Sequence, residues 1–219
     1  MKAMILCAGR GERMRPLTDV LPKPLLEVHG KPLVVWHIEN LAKAGFKEIV
    51  INIAHLASKI VETLGDGSTW NVTLTYSDEQ NSGALESAGG IVKALPLLGN
   101  EPFLVVNGDI FCDYEFNTSF KLGDKLAHLI LVKNPEHNPR GDFGLKNACV
   151  LNTDKIQYTF SGIGYYNPIL FKNLEIKKSA LAPLLRKEIE NKKISGELFS
   201  GIWHDVGTPQ RLKEINEKL

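Results

Sequence analysis

The feature of this chain that most constrains its fold is the alternation of short apolar runs with helical stretches over its first half. The apolar runs predict buried strands at residues 4–6, 49–53, 72–76 and 103–106. Between them, apolar residues recur at helical spacing from Pro32 until Gly45, over 56–64 before Gly65, and over 85–95 before Pro96. Strands alternating with helices of this length predict an α/β fold whose mostly parallel sheet has helices on both faces.

The second half of the chain has a different pattern. Strands are predicted at 126–132, 144–151, 156–160 and 163–166, with little helix between them. We therefore expect antiparallel strands added to one edge of the sheet. A helix over 181–191 and a short strand follow, and Thr208 is expected to cap a final helix that has Pro209 at its first position. Because no Pro/Ser-rich linker interrupts the pattern, we expect one domain over 1–219.

Composition excludes several classes of protein. The 219 residues carry a net charge of +1, from 26 Lys and Arg against 25 Asp and Glu, whereas general nucleic-acid or membrane-surface binders have a large positive excess. No stretch approaches the roughly 20 apolar residues of a transmembrane helix. The three cysteines have neither metal-ligand nor disulfide-framework spacing. We therefore expect a cytoplasmic protein with reduced cysteines.

A glycine-opened loop follows the first predicted strand. Gly9 and Gly11 allow the backbone to approach a ligand closely and to expose its N–H groups. The loop is a poor dinucleotide fingerprint, because Met14 occupies the place of the third glycine and Pro16 prevents an immediate long helix. No Gly-Lys-Ser/Thr follows, which excludes a P-loop.

The same segment is rich in cations and prolines. Between Gly9 and Leu25 it carries Arg10, Arg13, Arg15 and Lys23 against Glu12 and Asp19, and it contains Pro16, Pro22 and Pro24. A stiff loop loses less entropy when it binds, and Arg and Lys suit phosphate groups. The segment therefore predicts a polyphosphate site, with a solvated basic surface loop as the alternative.

Two aspartates far apart in the sequence each follow a predicted strand. Asp109 ends Asn107-Gly108-Asp109, and Asp205 precedes Val206-Gly207-Thr208. Ligands of open α/β sheets gather at the carboxyl ends of strands, and Mg²⁺ takes one or two carboxylates together with substrate phosphates. Asp109 and Asp205 are therefore candidate Mg²⁺ ligands, and turn or helix-capping residues are the alternative.

Taken together, these segments resemble the signature of the sugar-1-phosphate nucleotidylyltransferases. The blocks that carry the resemblance are 9–18 with 22–25, Asn107-Gly108-Asp109, and Asp205-Val206-Gly207-Thr208. It implies a three-layer, Rossmann-like mixed sheet of the nucleotide-diphospho-sugar transferase type. It also implies a nucleotide-binding half over about 1–110 and a sugar-binding half over about 111–219.

The resemblance further implies Mg²⁺-dependent transfer of a nucleotidyl group from a nucleoside triphosphate to a sugar 1-phosphate, with release of pyrophosphate. Arg13 would hold the pyrophosphate, Lys23 would neutralise the reacting phosphates, and Asp109 and Asp205 would bind Mg²⁺. The nucleotide contacts that it implies are Leu6, Ala8, Gly9, Gly11, Glu12, Arg13, Lys23, Glu79, Gln80, Gly83, Gly89 and Asn107. The implied sugar contacts are Asn107, Gly144 and Asn152.

Within this family, segments 64–68, 94–99, 139–143 and 159–163 are most similar to the uridylyltransferases of peptidoglycan recycling, which act on N-acetylmuramic acid 1-phosphate. This resemblance favours UTP as the donor. Only one helix follows Asp205, so the C-terminal extensions of many relatives are missing, which favours a monomer.

Three other functions remain open on the sequence. Within the enzyme class, the substrates could be mannose 1-phosphate with GTP or phosphocholine with CTP. From another class, the chain could be a silent module that senses nucleotide sugars. The joint presence of Arg13, Lys23, Asp109 and Asp205 argues against a silent module.

Overall fold

A computed structural model describes residues 1–218, apart from the side chains of Ser82 and Lys218. The strands are β1 Ala3–Leu6, β2 Glu27–Val28, β3 Lys31–Pro32, β4 Glu48–Ile53, β5 Thr73–Asp78, β6 Phe103–Asn107, β7 Ile110–Cys112, β8 Ala127–Val132, β9 Phe143–Lys146, β10 Cys149–Leu151, β11 Gln157–Tyr166, β12 Ile194–Phe199 and β13 Trp203–Asp205. The helices are α1 Leu17–Val20, α2 Leu33–Lys43, α3 Ala57–Leu64, α4 Glu86–Leu98, α5 Leu181–Glu190 and α6 Pro209–Lys218.

The parallel half of the sheet is as predicted. A nine-stranded sheet has the order β5-β4-β1-β6-β11-β8-β12-β10-β9, and its first four strands run parallel. These strands are apolar on both faces, because both faces are covered. Ile5 of β1 packs into the core under α2 and α3, and Met4 packs into the opposite core under α4 and α5. This gives the three layers expected.

The antiparallel additions are also confirmed, but two strand predictions were wrong. The run 144–151 is not one strand: Asn147 and Ala148 adopt positive φ and turn it into the hairpin β9–β10. The runs 156–160 and 163–166 are a single strand, β11, in which the pairing register shifts between Phe160 and Ile163. Gly162 lies in that bulge with φ +85°, a conformation that glycine adopts at no steric cost.

Helix ends follow local rules with one exception. Thr208 caps α6, since its hydroxyl accepts a hydrogen bond from the Arg211 N–H at 3.3 Å, and α2 and α3 stop before Gly45 and Gly65 as predicted. Pro96, however, lies inside α4. A proline disturbs the turn that precedes it rather than the residues after it, so the helix continues to Leu98 and ends at Gly99.

A small antiparallel pair beside the main sheet connects the middle of the chain to its C-terminal part. β7, directly after the turn that ends β6, pairs with β13 in the register Ile110↔Asp205. Behind it, Val206 and Ile215 join a small core with Met14, Val28 and Leu33. This pairing places the C-terminal aspartate next to the end of β6. Among the described residues, no helix is both long and apolar enough to cross a bilayer.

The first turn of α4 depends on close approach by a segment from the other half of the chain. The N–H groups of Ala88 and Gly89 donate to the Ser179 carbonyl at 3.0 and 3.2 Å, and the Ser179 N–H donates to the Leu85 carbonyl at 3.0 Å. A Cβ on Gly89 would clash with the carbonyl oxygen of Lys177.

We therefore expect Gly89→Ala to lower the free energy of unfolding by about 1–3 kcal/mol, as overpacking does. In an open helix the same change is stabilising, because alanine has the higher helix propensity. Urea unfolding followed by circular dichroism measures the effect. Lys93→Ala on the same helix is the control and should change stability by less than about 0.5 kcal/mol. A more stable Gly89→Ala protein would contradict the close approach.

Candidate active site

A cavity of about 440 Å³ opens at the carboxyl ends of β1 and β6. Open α/β sheets bind ligands at this edge. Its lining consists of Leu6, Cys7, Ala8, Gly9, Gly11, Glu12, Arg13, Met14, Lys23, Pro24, Asn52, Ala84, Glu86, Ser87, Asn107, Gly108, Asp109, Lys178 and Gly207. Most of the predicted nucleotide contacts thus lie on one cavity, although they come from separate parts of the chain.

The glycine-opened loop folds back tightly after β1. Gly11 has φ +67°, and its carbonyl accepts hydrogen bonds from the Met14 N–H at 2.8 Å and the Thr18 hydroxyl at 2.9 Å. A Cβ on Gly11 would lie 2.9 Å from Cγ2 of Thr18. Glycine is therefore required at this position both by the backbone conformation and by the packing.

The four predicted cations of this segment divide into two groups. Arg13 and Lys23 line the cavity. Arg10 and Arg15 are exposed, and they pair with Glu12 at 3.4 and 3.5 Å. The alternative of a solvated surface thus applies to Arg10 and Arg15, while Arg13 and Lys23 remain candidates for phosphate binding.

Lys23 and Asp109 form an ion pair in the cavity. Nζ of Lys23 lies 2.6 Å from Oδ2 of Asp109, and Lys23 is 8% exposed. The turn that carries Asp109 packs against the end of β1: the Gly108 N–H donates to the Leu6 carbonyl at 2.9 Å, and a Cβ on Gly108 would lie 2.8 Å from Sγ of Cys7. Gly108 thus allows Asp109 to follow β6 without pushing β1 away.

The structure brings the two predicted metal ligands together. Asp205 pairs with Ile110, the residue after Asp109, and the Val206 N–H donates to the Asp109 carbonyl at 2.8 Å. Gly207 lines the same cavity as Asp109.

Asp205 has two neighbours that sequence reasoning missed. Arg211 on α6 and His137, from the segment between β8 and β9, both contact Oδ1 of Asp205, the histidine at 3.0 Å. The contact on Asp109 is likewise on one oxygen, Oδ2. Each carboxylate therefore keeps its second oxygen for another ligand.

This donor set fits Mg²⁺, which binds through one or two carboxylates and completes its shell with water and phosphate oxygens. No group of three or more His, Cys, Asp or Glu that could hold a metal by itself occurs within residues 1–218. A cation at this site would therefore depend on the substrate phosphates as well as on Asp109 and Asp205.

Several predicted contacts lie elsewhere. Glu79 is fully buried and accepts hydrogen bonds from Asn52 and Leu85. Gly89 leaves room for the segment 177–179 to pack against α4. Neither residue lines the cavity. The backbone N–H of Gln80 donates to Oδ1 of Asp78 at 2.8 Å in a turn, and Gln80 does not line the cavity. The remaining predicted contacts that do not line the cavity are Gly83, Gly144 and Asn152.

Two of the three predicted sugar contacts, Gly144 and Asn152, have close contacts with neighbouring segments of the chain. A Cβ on Gly144 would lie 2.5 Å from Cβ of Asp154. The side-chain amide of Asn152 donates to the Arg186 carbonyl at 3.0 Å. Gly144 lies on β9 and Asn152 directly follows β10, and neither residue lines the cavity.

Asn52, Glu86 and Lys178 line the cavity and were not predicted. Glu86 carries positive φ, 60°, which is uncommon for a non-glycine residue, and its carboxylate lies 3.6 Å from the ammonium of Lys178. Asn52 gives a signal in the sequence, since it is a polar residue within an apolar strand. Lys178 gives none, because the contact between 177–179 and α4 is long-range.

Two buried titratable groups support the turn that bears Asp109. Burial raises the pKa of the Cys7 thiol, and the Asp109 carboxylate raises it further, so Cys7 acts as a small buried hydrophobe. Burial lowers the pKa of His37 from 6.5 to about 4, against a hydrogen bond to the Ile110 carbonyl that raises it. His37 is therefore neutral near pH 7 and donates from Nε2 over 2.9 Å.

Comparison with known proteins decides the family. The nucleotidyl transferase family model matches residues 2–157. A relative named N-acetylmuramate alpha-1-phosphate uridylyltransferase, from Neisseria meningitidis serogroup B, is 53% identical over 98% of this chain and 96% of its own length. The chain belongs to the nucleotidyl transferase family. The predicted resemblance is thereby confirmed.

Other members are more distant. The mannose-1-phosphate guanyltransferase of Aspergillus fumigatus is 31% identical over 96% of this chain, which spans 62% of that relative. A crystal structure described as a Bacillus anthracis glucose-1-phosphate thymidylyltransferase in complex with sucrose superposes with a TM-score of 0.86 over 99% of this chain and 94% of its own. At 23% identity that likeness concerns the fold, and it confirms the nucleotide-diphospho-sugar transferase type.

The buried neutral His37 predicts a defined pH dependence of stability. Below pH 6.5 the unfolded chain takes up a proton at this residue, whereas the folded chain does so only near pH 4. Stability is therefore fully present above pH 6.5 and falls as the pH drops towards 4. Between pH 7 and pH 5 this group should lower the free energy of unfolding by about 2 kcal/mol.

Urea unfolding at the two pH values tests this prediction. Between pH 7 and pH 5, the free energy of unfolding of His37→Gln should fall by about 2 kcal/mol less than that of the parent. His29→Asn, at an exposed position, should lose as much as the parent. Equal losses in the His37→Gln protein and the parent would contradict the assignment.

Proposed function

We propose that this protein transfers UMP from UTP to N-acetylmuramic acid 1-phosphate, forming a nucleotide sugar and releasing pyrophosphate. The observation that carries the reaction type is the ion pair of Lys23 with Asp109 in a cavity beside the glycine-opened loop, with Asp205 held on the adjacent strand by its pairing with Ile110. The choice of donor and sugar is supported by the relative that is 53% identical over nearly the whole chain.

The chemistry suits this geometry. An oxygen of the sugar phosphate attacks the α-phosphorus of UTP in line, the bond to the β-phosphate oxygen breaks, and pyrophosphate leaves with that electron pair. The protein needs no covalent intermediate, so its task is to position the substrates and to stabilise charge. Arg13 would hold the leaving pyrophosphate, and Lys23 would neutralise the sugar phosphate and the α-phosphate.

Asp109 and Asp205 would hold Mg²⁺, which neutralises phosphate charge when bound. Lys23 is already held on Asp109 and Arg211 on Asp205, so cationic groups stand beside both carboxylates before substrate binds. The backbone from Leu6 to Gly11 would contact the nucleotide phosphates, and Asn107 would contact the ribose. We propose that the protein acts as a cytoplasmic monomer, with residues 1–110 forming most of the nucleotide site.

A substrate panel tests the proposed function. Pyrophosphate release is measured for UTP, GTP, CTP and dTTP, each with N-acetylmuramic acid, mannose and glucose 1-phosphates and with phosphocholine, in the presence of Mg²⁺. UTP with N-acetylmuramic acid 1-phosphate should give the highest kcat/KM. A preference for GTP with mannose 1-phosphate would assign the activity of the more distant relatives instead, and nucleotide binding without turnover on any pair would indicate a sensing module.

Substitutions in the cavity test the residue roles. Asp109→Asn and Lys23→Ala should each lower kcat by roughly 10²–10³-fold, as the loss of a preorganised charged group does. Pyrophosphate release measures kcat, and circular dichroism checks the fold.

Arg10→Ala is the matched control, because Arg10 lies in the same loop, pairs with Glu12 and does not line the cavity. It should keep kcat within about twofold, since it removes only an exposed ion pair. A folded Lys23→Ala protein with parental kcat would remove Lys23 from the mechanism.

A further inference from the structure

A buried chain of hydrogen bonds joins the two edges of the cavity. The backbone N–H of Cys7, at the end of β1, donates to Oδ1 of Asn52 at 2.7 Å. Nδ2 of Asn52 donates to Oε1 of Glu79 at 2.7 Å, and Oε2 of Glu79 accepts from the Leu85 N–H at 2.8 Å. Asn52 is 3% exposed and Glu79 is 0% exposed, so these contacts are shielded from water.

The chemistry of the groups determines which atom donates and which accepts in each of these hydrogen bonds. Because Cys7 offers a donor, the Asn52 amide must turn its oxygen to Cys7 and its nitrogen to Glu79. Glu79 therefore faces two donors, and each of its carboxylate oxygens accepts one hydrogen bond. A glutamine at position 79 would have to turn its own NH₂ group towards either the NH₂ group of Asn52 or the Leu85 N–H. In both cases two buried donors would face each other without an acceptor.

The neighbouring helix is built around this network. A Cβ on Gly90 of α4 would lie 2.8 Å from Oε1 of Glu79 and 2.9 Å from Nδ2 of Asn52. The helix backbone thus covers the hydrogen bonds directly, and the network holds α4 to β4 and β5.

The two ends of the network are parts of the cavity wall. Cys7 lines the cavity and contacts the turn that bears Asp109. Leu85 is flanked by Ala84 and Glu86, which also line the cavity, and Glu86 adopts positive φ. Strained residues persist only where the surrounding structure holds them, and the Glu79 contact to the Leu85 N–H supplies such a restraint.

We infer that Asn52 and Glu79 are positioning residues, which fix the glycine-opened loop and the 84–86 segment relative to each other for binding of the nucleoside triphosphate. Glu79 acts through Leu85 and has no exposed surface with which to touch the nucleotide. This inference rests on the proposed function, because the ligand between the two edges is UTP.

A charge-swapped pair of substitutions tests the inference. In Glu79→Gln alone, two hydrogen-bond donors face each other. In Asn52→Asp alone, two carboxylates face each other. In the double variant Asn52→Asp/Glu79→Gln, the carboxylate at position 52 accepts from the Cys7 N–H and from the amide NH₂ at position 79. The amide oxygen at position 79 accepts from the Leu85 N–H. The double variant therefore restores every hydrogen bond at unchanged total charge.

We measure kcat and KM for UTP and for the sugar phosphate, together with amide hydrogen exchange at Cys7 and Leu85. Each single variant should raise the KM for UTP by about tenfold or more, because an unsatisfied buried polar group costs free energy of that size. The KM for the sugar phosphate should not change. The double variant should recover to within about threefold of the parent. Exchange at Leu85 should speed up in Glu79→Gln and slow again in the double variant.

The matched control is Glu101→Gln, which makes the same change of charge at an exposed position and should leave all parameters at parental values. Parental KM values in both single variants, or a double variant no better than the singles, would overturn the inference while leaving the proposed function intact. A parent protein that neither binds nor turns over UTP would overturn the proposed function, and the inference with it.

Discussion

The antiparallel pairing of β7 with β13 is the contact on which the candidate site depends. It joins the residues that follow β6 to a strand near the C-terminus, in the register Ile110↔Asp205. Without it, Asp109 would stand alone at the end of β6. The backbone hydrogen bond from Val206 to the Asp109 carbonyl holds the two aspartates at neighbouring positions, and the packing of Val206 and Ile215 against Met14 and Leu33 brings the glycine-opened loop to the same place.

Charge is balanced locally around this pairing. Lys23 neutralises Asp109, and Arg211 neutralises Asp205, which His137 also contacts. Two carboxylates close together would otherwise repel each other in the absence of a cation. The arrangement also leaves one oxygen of each carboxylate for a further ligand, which is what an ion shared between protein and phosphates requires. The site is therefore built before substrate arrives, and preorganised charges are the ones that stabilise a transition state most effectively.

Sequence reasoning succeeded where the physical cause is local. The buried parallel strands follow from apolar runs, the start of α6 follows from Thr208 and Pro209, and the loop after β1 follows from its glycines. It did not foresee contacts between distant segments. Gly89 is predicted as a nucleotide contact, and the structure places the Lys177 carbonyl close against it. Glu79 is also predicted as a nucleotide contact, and its buried side chain accepts a hydrogen bond from Asn52.

The sequence by itself determined the layered α/β architecture, the glycine-opened loop after β1 and the positions of the acidic candidates, because hydrophobic periodicity and turn chemistry act between near neighbours in the chain. Only the tertiary structure decided which cations reach the cavity, that His137 and Arg211 accompany Asp205, and that Asn52 and Glu79 connect its two walls. Those outcomes depend on strand register and on helix packing between remote segments. A shift of one residue in the pairing of β7 and β13 would turn Asp205 to the other face, and no local pattern encodes that register.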